Sequence, residues 1–82
     1  MSFVTYILYS HSKDKYYIGH TNNLERRILE HNSGHSSSTK AGIPWEVVYT
    51  KEFLSNSDAI KFELEIKSMK SKKYINTLIS NH

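Results

Sequence analysis

The chain has 82 residues, a net charge of +3, 38% hydrophobic residues and 23% charged residues. This length suits one small domain, expected over residues 1–82, and the composition excludes a disordered chain. No cysteine occurs, which excludes disulfide scaffolds and thiolate metal sites. The sequence predicts neither a signal peptide nor a membrane span, so we expect a cytoplasmic protein. Its excess of basic residues weakly favours a polyanionic partner.

The first two predicted elements form a β-hairpin. Residues 3–9 are β-branched, aromatic or leucine, which is typical of a strand covered on both faces. A turn over residues 11–14 leads into the second strand. In this register Leu8 faces Tyr17, so that Tyr6 and Tyr17 lie on the same face of the sheet. A shift by one residue would separate the two tyrosines.

The rest of the chain predicts three helices and one more strand. The segment "TNNLERRILEHNSG" indicates a helix of about ten residues with an asparagine N-cap and Gly34 as its stop. A polar connection over residues 32–44 precedes the strand "WEVVYTKEF". Ser55 and Ser71 are predicted to cap the last two helices. The order ββαβαα predicts an α+β fold, a small three-stranded antiparallel sheet flanked by helices.

Helical phase selects two side chains of the first helix. At about 100° per residue, Leu24 and Ile28 mark its buried stripe. Arg27 and His31 fall on the shoulder of that stripe, one turn apart, whereas Arg26 points elsewhere. An arginine at such a position is also compatible with a packed stem whose head stays in water.

A carboxylate breaks the pattern of the second helix. Glu63 projects inside a wide apolar arc, where an unpaired charge is expensive to desolvate. It must therefore be paired, protonated or bound to a metal. An ion pair with Lys67, or an apolar arc narrower than drawn, would explain it equally well. The predicted arc comprises Ala59, Ile60, Phe62, Leu64, Ile66 and Met69.

The five histidines show no zinc-site spacing. We expect His11, His35 and His82 at the surface. His20 follows the glycine that ends the second strand, which makes it a candidate phosphate contact, although an ordinary turn residue fits this position equally well.

The pattern as a whole resembles the GIY-YIG nuclease superfamily. The resemblance runs from about residue 3 to residue 79 and is carried by "YYIGHTNNLERRILEHNSG", "STKAGIPWEVVY" and "AIKFELEIKSMKSKKYINTLI". It is greatest to small stand-alone members of the kind that resemble the excision-repair nuclease subunit and the N-terminal domain of homing endonucleases. The first half of the name motif is degenerate, because Val4 and Thr5 precede Tyr6 where glycine and isoleucine are usual.

The resemblance implies a DNA endonuclease that hydrolyses phosphodiester bonds with one divalent ion, Mg²⁺ or Mn²⁺. It implies that Glu63 holds the metal and that Arg27 stabilises the transition state. Tyr17 would be the general base for the attacking water, with Tyr6 or His31 orienting it. Two alternatives stay open: a catalytically weak nucleic-acid-binding module that needs a partner, and a protein–protein adaptor on the same fold.

Further residues are expected to contact DNA. The loop over residues 34–43 suits contacts with phosphate or sugar oxygens, and such contacts predict salt-sensitive binding with little sequence preference. Branched, flapped or damaged DNA is the expected substrate, with a possible partner protein for targeting. Asn76 is the nearest candidate for an asparagine that the family often carries. The expected nucleic-acid contacts are His20, Arg26, His35 and Lys40.

Overall fold

The computed structural model describes residues 2–35, 37 and 39–81. His82 and positions 36 and 38 of the predicted loop lie outside this part of the chain. The predicted α+β class and ββαβαα order are confirmed, with one additional 3₁₀ turn at Lys40–Gly42. The elements are β1 (Phe3–Ser10), β2 (Lys15–Thr21), α1 (Leu24–Ser33), β3 (Trp45–Phe53), α2 (Asn56–Met69) and α3 (Lys72–Ser80).

The three strands form one antiparallel sheet in the order β2-β1-β3. The predicted hairpin register is confirmed, because Leu8 pairs with Tyr17 and Tyr6 pairs with Gly19. Strand β1 lies in the centre, where both neighbours satisfy its backbone groups. Its apolar sequence therefore reflects burial on both faces.

Helices cover both faces of the sheet. Tyr6 and Leu8 of β1 form a core with Trp45, and α1 packs on this side through Leu24 and Ile28. Because successive strand residues alternate in direction, the intervening Ile7 faces the other way. The second core combines Ile7 with Ile66 of α2 and Ile75 of α3. Helices α1 and α2 therefore lie on opposite faces of the sheet.

The predicted helix caps are present. The side chains of Asn23, Ser55 and Ser71 each accept a hydrogen bond from the backbone N–H three residues later, at 3.1, 3.2 and 3.1 Å. Each such cap contributes about 1 kcal/mol. Helix α1 ends at Gly34 with φ of 84°, a left-handed conformation that favours glycine.

The apolar arc predicted for α2 was too wide. Leu64 and Met69 are 57% and 51% exposed, whereas Ala59 and Ile66 are buried. The helix contacts the sheet along a narrower stripe than its composition suggested. No helix in the described part of the chain is long and apolar enough to cross a membrane.

The connection between α1 and β3 is fixed by side-chain hydrogen bonds. The Asn32 carboxamide accepts from the Trp45 backbone N–H at 2.6 Å and donates to the Trp45 carbonyl at 3.1 Å. The Trp45 indole N–H donates to the Thr39 carbonyl at 2.7 Å. These bonds hold Thr39 against α1, although the connection that carries it is polar and has no regular pattern.

Candidate active site

The tyrosine side of the site is built around Gly19. A Cβ at Gly19 would lie 2.6 Å from the Tyr6 hydroxyl oxygen and 3.2 Å from Cε1 of Tyr17. Both rings therefore depend on the missing side chain for their positions. Tyr6 is only 1% exposed, so its ring is enclosed by neighbouring groups.

Tyr6, Tyr17 and His31 form an aromatic cluster between the sheet and α1. The Tyr17 ring lies 4.9 Å from the His31 ring and 6.5 Å from the Tyr6 ring, measured between centroids. Tyr6 is buried and Tyr17 is half-buried. Tyr17 is thus the tyrosine of this pair that water reaches more easily.

His31 connects two hydroxyl groups inside the protein. Its Nε2 lies 3.1 Å from the Tyr6 hydroxyl, and its Nδ1 lies 2.8 Å from Thr39 Oγ1. Burial, together with the nearby Arg27 charge, lowers the pKa of His31. A neutral imidazole donates at one nitrogen and accepts at the other, and therefore satisfies both hydroxyls. Helical phase had placed His31 on the shoulder of the stripe, but the ring is fully buried.

Arg27 brings a positive charge to the phenols. Hydrogen bonding to Tyr6 raises the pKa of Arg27, with smaller contributions from Glu30 and Tyr17. Its Nη1 also pairs with Glu30 Oε1 at 3.1 Å. Burial raises the pKa of Tyr6 to about 12, and the adjacent Arg27 partly opposes that rise. The guanidinium is therefore fixed beside two phenols and stays charged.

Glu63 lies on the other side of β2 and has two hydrogen-bonding partners, His20 and Lys67. Its Oε1 is 2.5 Å from His20 Nδ1, and its Oε2 accepts from Lys67 Nζ at 2.6 Å. The side chain is only 12% exposed. Burial acts to raise the pKa of Glu63, but its bonds to Lys67 and His20 outweigh burial and lower it. The carboxylate is thus ionised, and the ion pair considered from the sequence is present.

The end of β2 connects the two groups of residues. Gly19 faces Tyr6 on one side of the strand, and the next residue, His20, contacts Glu63 on the other. The Glu63 charge also contributes to the raised pKa of Tyr6, after burial and the effect of Tyr17. Glu63 therefore acts electrostatically on the Tyr6 phenol, although α1 and α2 pack on opposite faces of the sheet.

Glu63 suits a hard divalent cation. Magnesium is commonly held by one or two carboxylates, with water and substrate phosphate filling the other positions. A lone, ionised and largely buried carboxylate meets that requirement. Among the described residues, no group of three or more His, Cys, Asp or Glu side chains is arranged to hold a metal. A cation would replace at least one of the bonds from His20 and Lys67.

The other predicted residues lie away from the phenols. Arg26, His35 and Lys40 are exposed, and their contacts with DNA stay predictions. His20 is half-buried against Glu63 rather than free in a turn. Asn76 lies on α3, where its side-chain oxygen accepts from the Tyr16 hydroxyl at 2.8 Å.

Sequence reasoning missed two partners of the site. Thr39, which contacts His31, lies in a polar connection without periodicity, so nothing in the sequence marks it. Glu30 was not among the predicted site residues, yet it pairs with Arg27 one turn earlier. The i, i+3 spacing was the signal that could have identified this pair.

Several proteins of the UPF0213 group are similar to this chain. It is 43% identical to a UPF0213 protein of Natronomonas pharaonis over 58 residues, which cover 70% of this chain and 68% of that protein. It is 41% identical to a UPF0213 protein of Oceanobacillus iheyensis over 54 residues, covering 65% of this chain and 63% of that protein. The second alignment thus spans less than two thirds of the relative's own length.

A solved structure shares the fold. The solution NMR structure of the UPF0213 protein BH0048 from Bacillus halodurans is 32% identical and has a TM-score of 0.61. The match covers 98% of this chain and 84% of that chain. The GIY-YIG catalytic domain family matches residues 2–76, which is nearly the whole sequence. This chain therefore belongs to the GIY-YIG nuclease family, as the sequence pattern indicated.

Proposed function

We propose that this protein is a metal-dependent DNA endonuclease that hydrolyses phosphodiester bonds. The observation that carries the proposal is the Arg27 guanidinium held beside the phenols of Tyr6 and Tyr17 in a GIY-YIG family chain. A fixed cation beside a proton acceptor is what phosphodiester hydrolysis requires, because negative charge builds up on phosphorus oxygens as water attacks.

Tyr17 is the proposed general base. It is half-buried, whereas Tyr6 is buried and lies next to His31. Tyr17 would take the proton from the attacking water, and Tyr6 with His31 would orient it. A phenol accepts a proton near neutral pH only when a cation lies nearby, and Arg27 meets this condition.

Arg27 is the proposed stabiliser of the transition state. Its planar fork of donors matches the oxygens of a phosphoryl group better than a lysine would. The ion pair with Glu30 orients the guanidinium before substrate arrives. Charge stabilisation of this kind contributes most where the donor is fixed in advance.

Glu63 is the proposed metal ligand, with Mg²⁺ or Mn²⁺ as the ion. The bound ion would supply Lewis-acid charge at the phosphate and at the departing 3′-oxygen. His20 and Lys67 keep the carboxylate ionised and in place. A cation bound to Glu63 would displace His20 or Lys67 from the carboxylate, and the displaced side chain would then be available to contact a substrate phosphate.

Branched, flapped or damaged DNA is the proposed substrate, with repair as the proposed setting in the cytoplasm. The expected phosphate contacts support this choice, because contacts with phosphates carry no sequence information. A partner protein would then supply targeting. Binding by phosphate contacts alone gives weak, salt-sensitive affinity.

Cleavage of a panel of DNA structures tests the proposal. Nicked, flapped, branched and plain duplexes are incubated with Mg²⁺ or Mn²⁺ and wild type, Arg27→Ala or Arg26→Ala. We expect Arg27→Ala to lose about 10²- to 10³-fold in rate, whereas Arg26→Ala, which removes only an expected phosphate contact, loses far less. Equal rates in all three proteins would point to a contaminating nuclease and overturn the proposal.

One observation favours a second candidate, a nucleic-acid-binding module without cleavage. Both carboxylate oxygens of Glu63 already have side-chain partners, His20 at 2.5 Å and Lys67 at 2.6 Å. A metal ion must compete with them, which could leave the domain inactive until a partner rearranges the site. Binding of the same DNA panel without cleavage in either metal would support this candidate.

A further inference from the structure

A groove with a cationic rim lies on the α2 side of the sheet. It encloses about 330 Å³ between β2, the end of α2 and the start of α3. We call it the lysine groove, and its rim consists of Lys15, Lys67, Lys70 and Lys72. These are four of the eleven lysines and arginines of the chain.

Within the described residues, two of the rim lysines have a carboxylate partner and two do not. Lys67 donates to Glu63 at 2.6 Å, and Lys72 pairs with Asp14 at 3.3 Å. Within the described ranges, Lys15 and Lys70 have no carboxylate partner. Like charges that face one hollow repel each other unless an anion lies between them. The groove therefore has spare positive charge for a ligand.

The backbone at Lys70 supports a role for this side chain. Lys70 ends α2 in the left-handed region, with φ of 47°. A non-glycine residue costs roughly 1–2 kcal/mol in that conformation. Helix α1 uses Gly34 for the same purpose. Glycine would suit the backbone at position 70 better than lysine does. The presence of a lysine there therefore indicates that its charge has a function.

The groove continues to the proposed metal ligand. Glu63 and Lys67 follow an i, i+4 spacing on α2 and form an ion pair, and Lys67 lines the groove together with Lys70. On β2, Ile18 lines the groove and His20, on the same face, contacts Glu63. A strand in the groove would therefore extend to the carboxylate.

We propose that the lysine groove binds the phosphate backbone of DNA next to the cleavage site. Lys15 and Lys70 contact phosphates at the rim of the groove, and the floor below them is apolar. This inference rests on the proposed function, because DNA is favoured over an acidic peptide by the continuity with Glu63. The floor consists of Ile18, Ile66 and Ile75.

Salt-dependent DNA binding tests the groove. Fluorescence anisotropy with a short labelled duplex compares wild type with Lys15→Gln/Lys70→Gln in EDTA, over a range of salt concentrations. The control is Lys61→Gln/Lys73→Gln, which removes the same charge outside the groove. Neither Lys61 nor Lys73 lines the groove. Thermal unfolding verifies that both variants are folded.

We expect the groove variant to bind more weakly and the control to stay close to wild type. Two lost phosphate contacts reduce the slope of log K against log salt by about 1.8, since each contributes about 0.9. Equal losses in both variants, or unchanged binding in the groove variant, would overturn the inference. So would tighter groove-dependent binding of a labelled polyglutamate peptide than of DNA.

The assay separates this inference from the proposed function. EDTA removes divalent metal, so binding is measured whether or not the protein cuts DNA. Groove-dependent binding by a protein that never cuts would keep the inference and overturn the proposed nuclease activity. Metal-dependent cleavage with an unchanged KM in the groove variant would support the proposed nuclease activity and overturn the inference.

Discussion

The Tyr6 hydroxyl oxygen lies 2.6 Å from the position that a Cβ on Gly19 would occupy. The two residues pair across β1 and β2, so neither can shift without disturbing the sheet. Gly19 is therefore required by the packing of a tyrosine rather than by a turn. The glycine of the motif and the tyrosine on the neighbouring strand form one structural unit.

Gly19→Ala is expected to displace the tyrosines. The added methyl group overlaps the ring of Tyr6, which is enclosed in the core and only 1% exposed. Overpacking of this kind costs about 1–3 kcal/mol, and we expect that loss in urea unfolding. We also expect the folded Gly19→Ala protein to cleave DNA more slowly than wild type, because the added methyl group displaces Tyr17 too.

Gly34→Ala is the matched control for this substitution. It meets no atom closer than 3.9 Å but has φ of 84°, so it costs stability by backbone strain alone. Gly34→Ala should leave the cleavage rate of the folded protein unchanged. Full activity in Gly19→Ala would show that the tyrosine positions do not matter.

Tyr6→Phe is expected to destabilise the protein through His31. The substitution removes the hydroxyl 3.1 Å from His31 Nε2 and leaves a buried nitrogen without that partner. Such a loss costs about 1–3 kcal/mol. Tyr17→Phe should show the opposite balance, with little change in stability and a rate loss of about 10²- to 10⁴-fold. Chemical denaturation and single-turnover cleavage of both variants measure the two effects.

A larger rate loss in Tyr6→Phe than in Tyr17→Phe would contradict the assignment of Tyr17 as the general base and would indicate Tyr6 instead. Folding must be verified for each variant by thermal unfolding before the rates are compared.

Local features of this chain could be predicted from the sequence because they depend on neighbouring residues. The hairpin register follows from the alternation around Tyr6 and Tyr17, and the cap at Asn23 follows from side-chain chemistry at a helix start. The face of the sheet on which a helix packs is not encoded in its own periodicity. The separation of Arg27 and Glu63 onto opposite faces could therefore not be predicted.

The burial of His31 also depends on distant contacts. Helical phase placed it at the edge of the buried stripe, but the connection that carries Thr39 folds over it. That connection is fixed by the Asn32 clamp on Trp45, which has no sequence signature. The site is thus completed by a segment that sequence reasoning treated as an irregular loop.

The buried imidazole predicts a pH dependence of stability. Burial lowers the pKa of His31 below its usual 6.5 in the folded state. As pH falls below about 6.5, the unfolded chain binds a proton that the folded chain does not, so stability is complete above this pH and decreases below it. One proton accounts for at most about 1.4 kcal/mol per pH unit.

Thermal unfolding between neutral and mildly acidic pH measures this effect. We expect the Tm of wild type to fall more steeply than that of His31→Gln, which no longer titrates at this position. His35→Gln, which removes an exposed histidine, should follow wild type. Parallel curves for wild type and His31→Gln would mean that His31 takes up its proton as readily when folded as when unfolded.

The most direct test of the proposed site is metal-dependent cleavage by Glu63→Gln beside Glu65→Gln. Both variants remove one carboxylate from α2, but Glu65 is exposed and Glu63 lies against His20 and Lys67. We expect Glu65→Gln to cut DNA in Mg²⁺ or Mn²⁺ like wild type and Glu63→Gln to show no metal-dependent cleavage. Cleavage by Glu63→Gln at the wild-type rate, with the same dependence on metal, would contradict the assignment of Glu63 as the metal ligand.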